Sequence, residues 1–248
     1  MTCSPKKDED ECECCNTIDS IESLNIEDMP NSSFNVVMGT RRSGKSYLTS
    51  FILEKMIALG KINCAFLFSK TLADFDFISH ECRFKELDEL HTIVENYKVM
   101  NEYNRIQPKK KLQFNIKTAI IIDDFAISLK DKKNSILENL AVLGRHYAKY
   151  GELSLHFFIL SQSLTKIPRV VRLNCDCIFL NNIASALERD MILDENFYRI
   201  ASGRKNKQIG KDLYHGLVTK DDFVFVCVEN HRQNIKEYKD YIKTIKAD

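Results

Sequence analysis

The sequence predicts an α/β fold, a mainly parallel sheet flanked by helices, and three observations predict it. Runs such as Phe34–Met38, Ala119–Ile122 and Leu155–Leu160 are almost wholly apolar rather than alternating, as strands buried on both faces are. They alternate with segments of helical spacing, among them Tyr47–Leu59 and Ile136–Tyr147, the order that covers a parallel sheet with helices. The residues with chemistry follow the strands: Gly39–Ser46, Asp123-Asp124 and Gln162. Open α/β sheets bind ligands beyond the carboxyl ends of their strands.

Taken in order, residues 1–28 carry nine acids against Lys6 and Lys7, and the segment to Pro30 has no apolar periodicity. It reads as an acidic, disordered leader over 1–30, with one domain over 31–248. Phe34–Met38 is the first strand. Tyr47–Leu59 is a helix, with Gly60 placed to cap its end. Ile62–Phe68 is a second strand. Helix-like spacing near Phe84–Val99 and a basic turn at Pro108–Lys111 follow. Thr118–Ile122 is the third strand, Ile136–Tyr147 a helix, Leu153–Leu160 the fourth strand and Cys175–Leu180 the fifth. Ala184–Ile200 reads as helix. Gly216–Thr219 and Phe223–Val228 read as a small C-terminal β-hairpin, and the Lys-rich tail as a helix or a frayed end.

With 248 residues, 44% of them apolar and 29% charged, the chain has ordinary soluble composition and enough length for a core without staples. No apolar run has the length of a membrane span. The N-terminus has neither a signal-peptide nor a transit-peptide pattern, so a reducing compartment is expected. Nine Cys, several in strand-like runs, argue against a disulfide framework. Cys12, Cys14 and Cys15 lack the second ligand pair that structural zinc requires. The net charge of +1 divides into −7 for residues 1–28 and +8 for the rest. That balance permits a nucleic-acid partner without requiring one.

Gly39-Thr40-Arg41-Arg42-Ser43-Gly44-Lys45-Ser46 fits G-x-x-x-x-G-K-[ST] completely and stands between a strand and a helix. Such a loop turns its backbone N–H groups onto a phosphate, and the helix N-terminus adds a favourable dipole. Lys45 is then expected to reach the β- and γ-phosphates and Ser46 to ligate Mg²⁺, which makes the chain a P-loop NTPase with ATP and Mg²⁺ as cofactors. Ala119–Ile122 followed by Asp123-Asp124 has the form of a Walker B strand: Asp123 supports Mg²⁺, and Asp124 is placed to polarise the attacking water. Gln162, after the fourth strand, suits a sensor of the γ-phosphate, although polar residues commonly end strands. Arg145 lies near the end of the helix before that strand, where compensation of the helix dipole is a competing role.

GTRRSGKS, AIIIDD, GRHY and FFILSQ followed by IPRVVRLNCDCIFL, in this order over about residues 33–200, resemble the poxvirus-type DNA-packaging ATPases of large DNA viruses and virophage-like elements. These belong to the FtsK–HerA branch of P-loop NTPases. The resemblance implies an additional-strand, RecA-like core and a DNA-stimulated ATPase that translocates double-stranded DNA into a preformed capsid. It implies a homo-oligomeric ring, a capsid or portal protein as partner, and a place at the viral assembly site in the host cytoplasm or in the virion. In that reading Lys45, Asp124, Gln162 and Arg145 are catalytic, with Arg145 reaching a neighbouring subunit's nucleotide. Arg169 and Arg172 receive no firm role. Asp-Asp replaces the Asp-Glu of many such motors, one methylene shorter. Lys109-Lys110-Lys111 and the cluster Arg204, Lys205, Lys207 and Lys211 are candidate DNA contacts, although charge runs are usually solvated faces. A helicase-like or DNA-segregation ATPase of the same branch, or a nucleotide-gated interaction protein with slow turnover, are the alternatives.

Overall fold

The computed structural model describes residues 17–71, 75–107, 109–123, 135–199 and 204–247. The described elements in chain order are β1 (Ser33–Met38), α1 (Lys45–Ala58), β2 (Cys64–Ser69), β3 (Arg83–Phe84), α2 (Asp88–Ile106), β4 (Lys117–Asp123), α3 (Ser135–Leu143) and β5 (Ser154–Ser161). Then come α4 (Arg169–Asn174), β6 (Cys177–Leu180), α5 (Ala186–Ile192), α6 (Arg204–Thr219), β7 (Phe225–Glu229) and β8 (Ile242–Ile245).

The described strands form one eight-stranded sheet in the order β3-β2-β4-β5-β1-β6-β7-β8. Pairing is parallel from β3 to β6, while β7 and β8 are antiparallel. β5 lies between β1 and β4. It is the additional strand that separates the phosphate-loop strand from the Walker B strand. This is the α/β architecture expected from the sequence, with helices on both faces.

The alternation of Cβ direction explains why the strands are apolar throughout. Phe34, Val36 and Met38 of β1 join Ile120 and Ile122 of β4 in one core layer. Val37, Ala119 and Ile121 face the other layer, beneath α1, with Leu48, Ile52, Leu53 and Met56. α1 closes with Gly60 at φ 65, where Lys61 N–H donates to Met56 O and Gly60 N–H to Ile57 O, at 2.8 and 2.9 Å. Those two bonds are the Schellman arrangement, and Gly60 supplies its left-handed residue.

Buried polar groups interrupt the strands, among them Asn35 in β1, Thr118 in β4, Glu229 in β7 and His156 in β5. His156 in β5 is fully buried, its Nδ1 2.9 Å from Ser33 Oγ. Burial, with a smaller effect from Lys61, pushes its pKa down to about 3. The imidazole is therefore neutral in the folded chain at ordinary pH.

Four sequence expectations change. The reading of 1–30 as a disordered leader is corrected over residues 17–30. Leu24, Ile26 and Met29 are buried in the layer under α1, and the side chain of Asn25 caps the turn Ile26–Asp28. Lys61 Nζ holds this segment through Glu27 O and Met29 O at 2.6 and 2.7 Å. Gly216–Thr219 is not a hairpin arm but the last turn of α6, whose Leu213, Tyr214 and Leu217 bury one face at helical spacing. The C-terminal hairpin is instead β7 with β8, so the Lys-rich tail holds a strand. The two-residue β3 carried no periodic signal in the sequence. Five cysteines of the described residues are free, and Cys175, Cys177 and Cys227 are buried. Cys12, Cys14 and Cys15 lie outside the described residues.

Candidate functional site

β1 delivers the chain to Gly39 at the carboxyl edge of the sheet. Gly39 N–H donates to Ser161 O of β5, and Thr40 N–H to Asn182 O beyond β6, both at 3.3 Å. The loop is thereby anchored on both neighbouring strands. Arg42 at φ 62 and Gly44 at φ 84 turn the backbone back on itself before Lys45 begins α1. A Cβ on Gly39 would stand 2.4 Å from Ser43 Oγ and 3.3 Å from the Cβ of Asn181, so the first glycine is required for close approach.

Inside the loop, Lys45 is 8% exposed, and its Nζ donates to Gly39 O at 3.0 Å and Thr40 O at 2.8 Å. The ammonium is thus held at the centre of the cradle. Ser43 Oγ is buried there with no hydrogen-bond partner. A buried orphan hydroxyl costs free energy until something accepts from it or donates to it. An anion oxygen in the loop is such a partner.

Ser46, in the first turn of α1, donates through Oγ to Asp123 Oδ2 at 3.4 Å. Asp123 ends β4, two strands away from β1. A hydroxyl and a carboxylate converging beside a phosphate loop are the hard oxygen donors that suit Mg²⁺, with the remaining positions left to phosphate and water. The residues present therefore fit the metal expected from the sequence.

Gln162 follows β5 immediately. Ser161, paired in register with Met38, accepts from Gly39 and fixes a tight turn in which Ser161 Oγ donates to Ser163 O. Gln162 is exposed and adjacent to the start of the phosphate loop. Beyond it, Ser163 and Thr165 donate to Glu188 at the start of α5, tying the turn to that helix. Asp124 lies outside the described residues.

Arg145 is elsewhere. It lies in the turn after α3, with its guanidinium 3.7 Å from Asp176, whose other oxygen accepts from Phe34 N–H. Phe34 is at the opposite end of β1 from the loop, roughly 16 Å away at 3.3 Å per residue. Arg145 is 57% exposed, and the fold does not bring it into its own chain's phosphate loop.

Arg172 is occupied structurally. It is buried, makes two bonds to Glu195 at 2.8 and 2.9 Å, and donates to Ile167 O at 2.7 Å. Arg169 is exposed, 3.5 Å from the same carboxylate. Of the candidate DNA contacts, Lys207 pairs with Asp194 and Lys211 with Asp190. Lys109, Lys110 and Lys111 are exposed.

The sequence reading missed the flank of the site. A cavity of about 670 Å³ runs from the phosphate loop along α1, bounded by Tyr47, Phe75, Phe77 and Phe223. Its signal was aromatic residues within otherwise polar segments after the second strand and before the last ones.

No protein-family model matches the sequence, and no curated protein matches it. Solved structures do match the fold. The genome packaging NTPase B204 of Sulfolobus turreted icosahedral virus 2, in complex with sulfate, superposes with a TM-score of 0.58 at 16% identity, over 89% of this chain and 98% of that one. In complex with ATP-γ-S the same protein gives 0.55 at 17% identity, over 84% and 97%. The pCW3 conjugation coupling protein TcpA gives 0.55 at 14% identity, over 88% of this chain and 60% of that one. At these identities the shared feature is the fold.

Proposed function

We propose that this chain is an ATP-hydrolysing motor that moves double-stranded DNA into a preformed capsid. The observation that carries the hydrolytic half is the convergence of Ser46 and Asp123 beside a loop that encloses the Lys45 ammonium. The packaging half is supported by the ordered motifs over residues 33–200 and by a fold shared with a viral genome packaging NTPase over nearly its whole length.

In this mechanism the backbone N–H groups of Gly39–Ser46 receive the β-phosphate, and Lys45 leaves the Gly39 and Thr40 carbonyls for phosphate oxygens. Phosphoryl transfer to water depends mainly on position and charge stabilisation. Ser46, with Asp123 in support, would hold Mg²⁺, which would supply positive charge to offset that of the phosphate oxygens. Asp124 accepts the proton of the attacking water. Gln162, beside Gly39, reports the γ-phosphate to α5 through Ser163, Thr165 and Glu188.

Arg145 acts on a neighbouring copy's nucleotide in this reading, because its own is at the other edge of the sheet. It stands next to exposed Val142 and Leu143, and α4, packed on α3, adds exposed Val170 and Leu173. An apolar patch beside an exposed arginine suits an interface between copies of this chain, which supports the ring. DNA is held through its phosphates by exposed lysines, with Lys109, Lys110 and Lys111 the candidates. A capsid or portal protein is the further partner.

A second reading, transfer of DNA by a coupling-type motor, is supported by the likeness to TcpA, of whose chain this one covers 60%. Steady-state ATP hydrolysis with and without double-stranded DNA tests the proposal, with Lys45→Ala as control. DNA stimulation absent from Lys45→Ala supports a DNA motor. Turnover that depends on Lys45 and stays indifferent to DNA and to emptied capsids overturns the packaging role.

A further inference from the structure

The cavity beside the phosphate loop has an unusual wall. Four described residues other than glycine have positive φ, and three of them, Arg42, Phe75 and Phe223, line this cavity. The left-handed region is costly for a bulky aromatic residue. Two phenylalanines held there on either flank of one cavity indicate that the position of their rings matters more than local backbone preference.

The rings are also placed for use. Phe223 is 56% exposed, and its Cδ1 would stand 3.1 Å from a Cβ on Gly44, so it lies directly against the phosphate loop. Tyr47, the residue after Ser46, is 58% exposed, and Phe77 is 39% exposed. Buried Phe75 meets Phe77 edge-on at 6.3 Å between centroids and fixes that wall. A volume of about 670 Å³ is in the range of small-molecule sites. Its ligand has a phosphate at one end, where Lys45 is, and a flat aromatic body at the other. Glu54 lies nine residues beyond Lys45 on α1, roughly 13 Å along the helix. Glu54 and Asp76 both line the cavity, and their carboxylates disfavour phosphates beside them and accept from exocyclic amino groups.

We infer that Phe223, with Phe77 and Tyr47, forms the nucleobase subsite of this chain and that the subsite prefers a purine. This rests on the reading of Gly39–Ser46 as a nucleotide loop. The base is recognised through its face, and a bicyclic base covers more of an aromatic wall than a monocyclic one. ATP and GTP therefore bind alike, and both bind more tightly than UTP.

The test is calorimetric titration of the full chain with ATP, GTP, UTP and inorganic tripolyphosphate, for wild type, Phe223→Ala, Phe223→Tyr and Lys45→Ala. Loss of one base–aromatic stack costs about tenfold in affinity. Phe223→Ala is expected to weaken ATP and GTP about tenfold, UTP by less, and tripolyphosphate not at all. Phe223→Tyr keeps the ring and is expected to behave as wild type. Equal weakening of ATP and tripolyphosphate in Phe223→Ala overturns the inference, since Phe223 then only supports Gly44. Unchanged ATP affinity in Phe223→Ala overturns it as well. Wild type that binds neither ATP nor tripolyphosphate, or whose binding survives Lys45→Ala, removes the nucleotide loop itself, an outcome separate from the other two.

Discussion

Ser46 Oγ donates to Asp123 Oδ2 over 3.4 Å, joining the start of α1 to the end of β4 across the intervening strand β5. β5 holds the two elements at this separation, so the geometry of the pair is set by the sheet. If both oxygens serve one Mg²⁺, their substitutions are not independent. Ser46→Ala and Asp123→Asn are each expected to lower turnover about 10²-fold, a size typical of lost electrostatic positioning. The double variant is expected to fall little further. Turnover measured against Mg²⁺ concentration checks this, and losses that multiply would separate the two residues.

Lys45 has a different expected signature. Its ammonium is the charge enclosed by the loop. Lys45→Ala is expected to lose ATP binding itself, by about 10²-fold or more, while the unfolding midpoint stays near that of wild type. Equilibrium titration with ATP reads the first and urea unfolding the second.

Arg145 separates binding from hydrolysis. Arg145→Ala is expected to bind ATP normally and to turn over about 10³-fold more slowly, as for an arginine acting in trans. If the residue serves a neighbour, mixing Arg145→Ala with Lys45→Ala chains is expected to restore activity at mixed interfaces. Recovery absent at every mixing ratio would return Arg145 to its pair with Asp176.

Arg172 is a matter of stability. Breaking its buried pair with Glu195 leaves a carboxylate without its partner, at a cost of about 3–5 kcal/mol. Arg172→Ala is expected to lower the unfolding free energy read from urea titration by that amount. Arg169→Ala, which removes an exposed side chain from the same carboxylate, is expected to shift it by less than about 1 kcal/mol.

His156 makes stability depend on pH. Its pKa in the folded chain is about 3, below the ordinary value of 6.5. Between those values the unfolded chain binds a proton that the folded chain does not. The contribution is therefore complete above pH 6.5 and falls by about 1.4 kcal/mol per pH unit as pH drops toward 3. Urea midpoints from pH 7 to 4 are expected to fall more steeply for wild type than for His156→Gln.

The parallel core was legible because double burial writes itself as apolar runs, and the loop was legible because its chemistry demands glycine at fixed spacing. Lys45, Ser46 and Asp123 come together as their motifs imply. What escaped were elements whose stability is tertiary. Residues 17–30 are acidic, yet Leu24, Ile26 and Met29 are enough to hold them under α1. β8 pairs because β7 offers it an edge, and Lys243 within it and Lys246 just after it disguised it as a tail. Gly216–Thr219 is a short apolar run like a strand, but its place in α6 follows from Leu213 upstream and Leu217 within it, four residues apart and both buried. The aromatic wall has no motif at all, since it joins residues near 76 to residue 223.

Among the described residues, the sheet offers no long open strand at either side. At one side β8 does not end the ladder, because Leu24 N–H donates to Thr244 O and Thr244 N–H to Glu22 O. At the other, β3 is only two residues long. A row of unpaired backbone groups is what recruits further strands and leads to fibres, and this chain withholds it at both sides. Copies of this chain that assemble as proposed would then meet through side chains, which can part and meet again. Removing residues 17–24 would uncover β8 and turn a reversible contact into a permanent one.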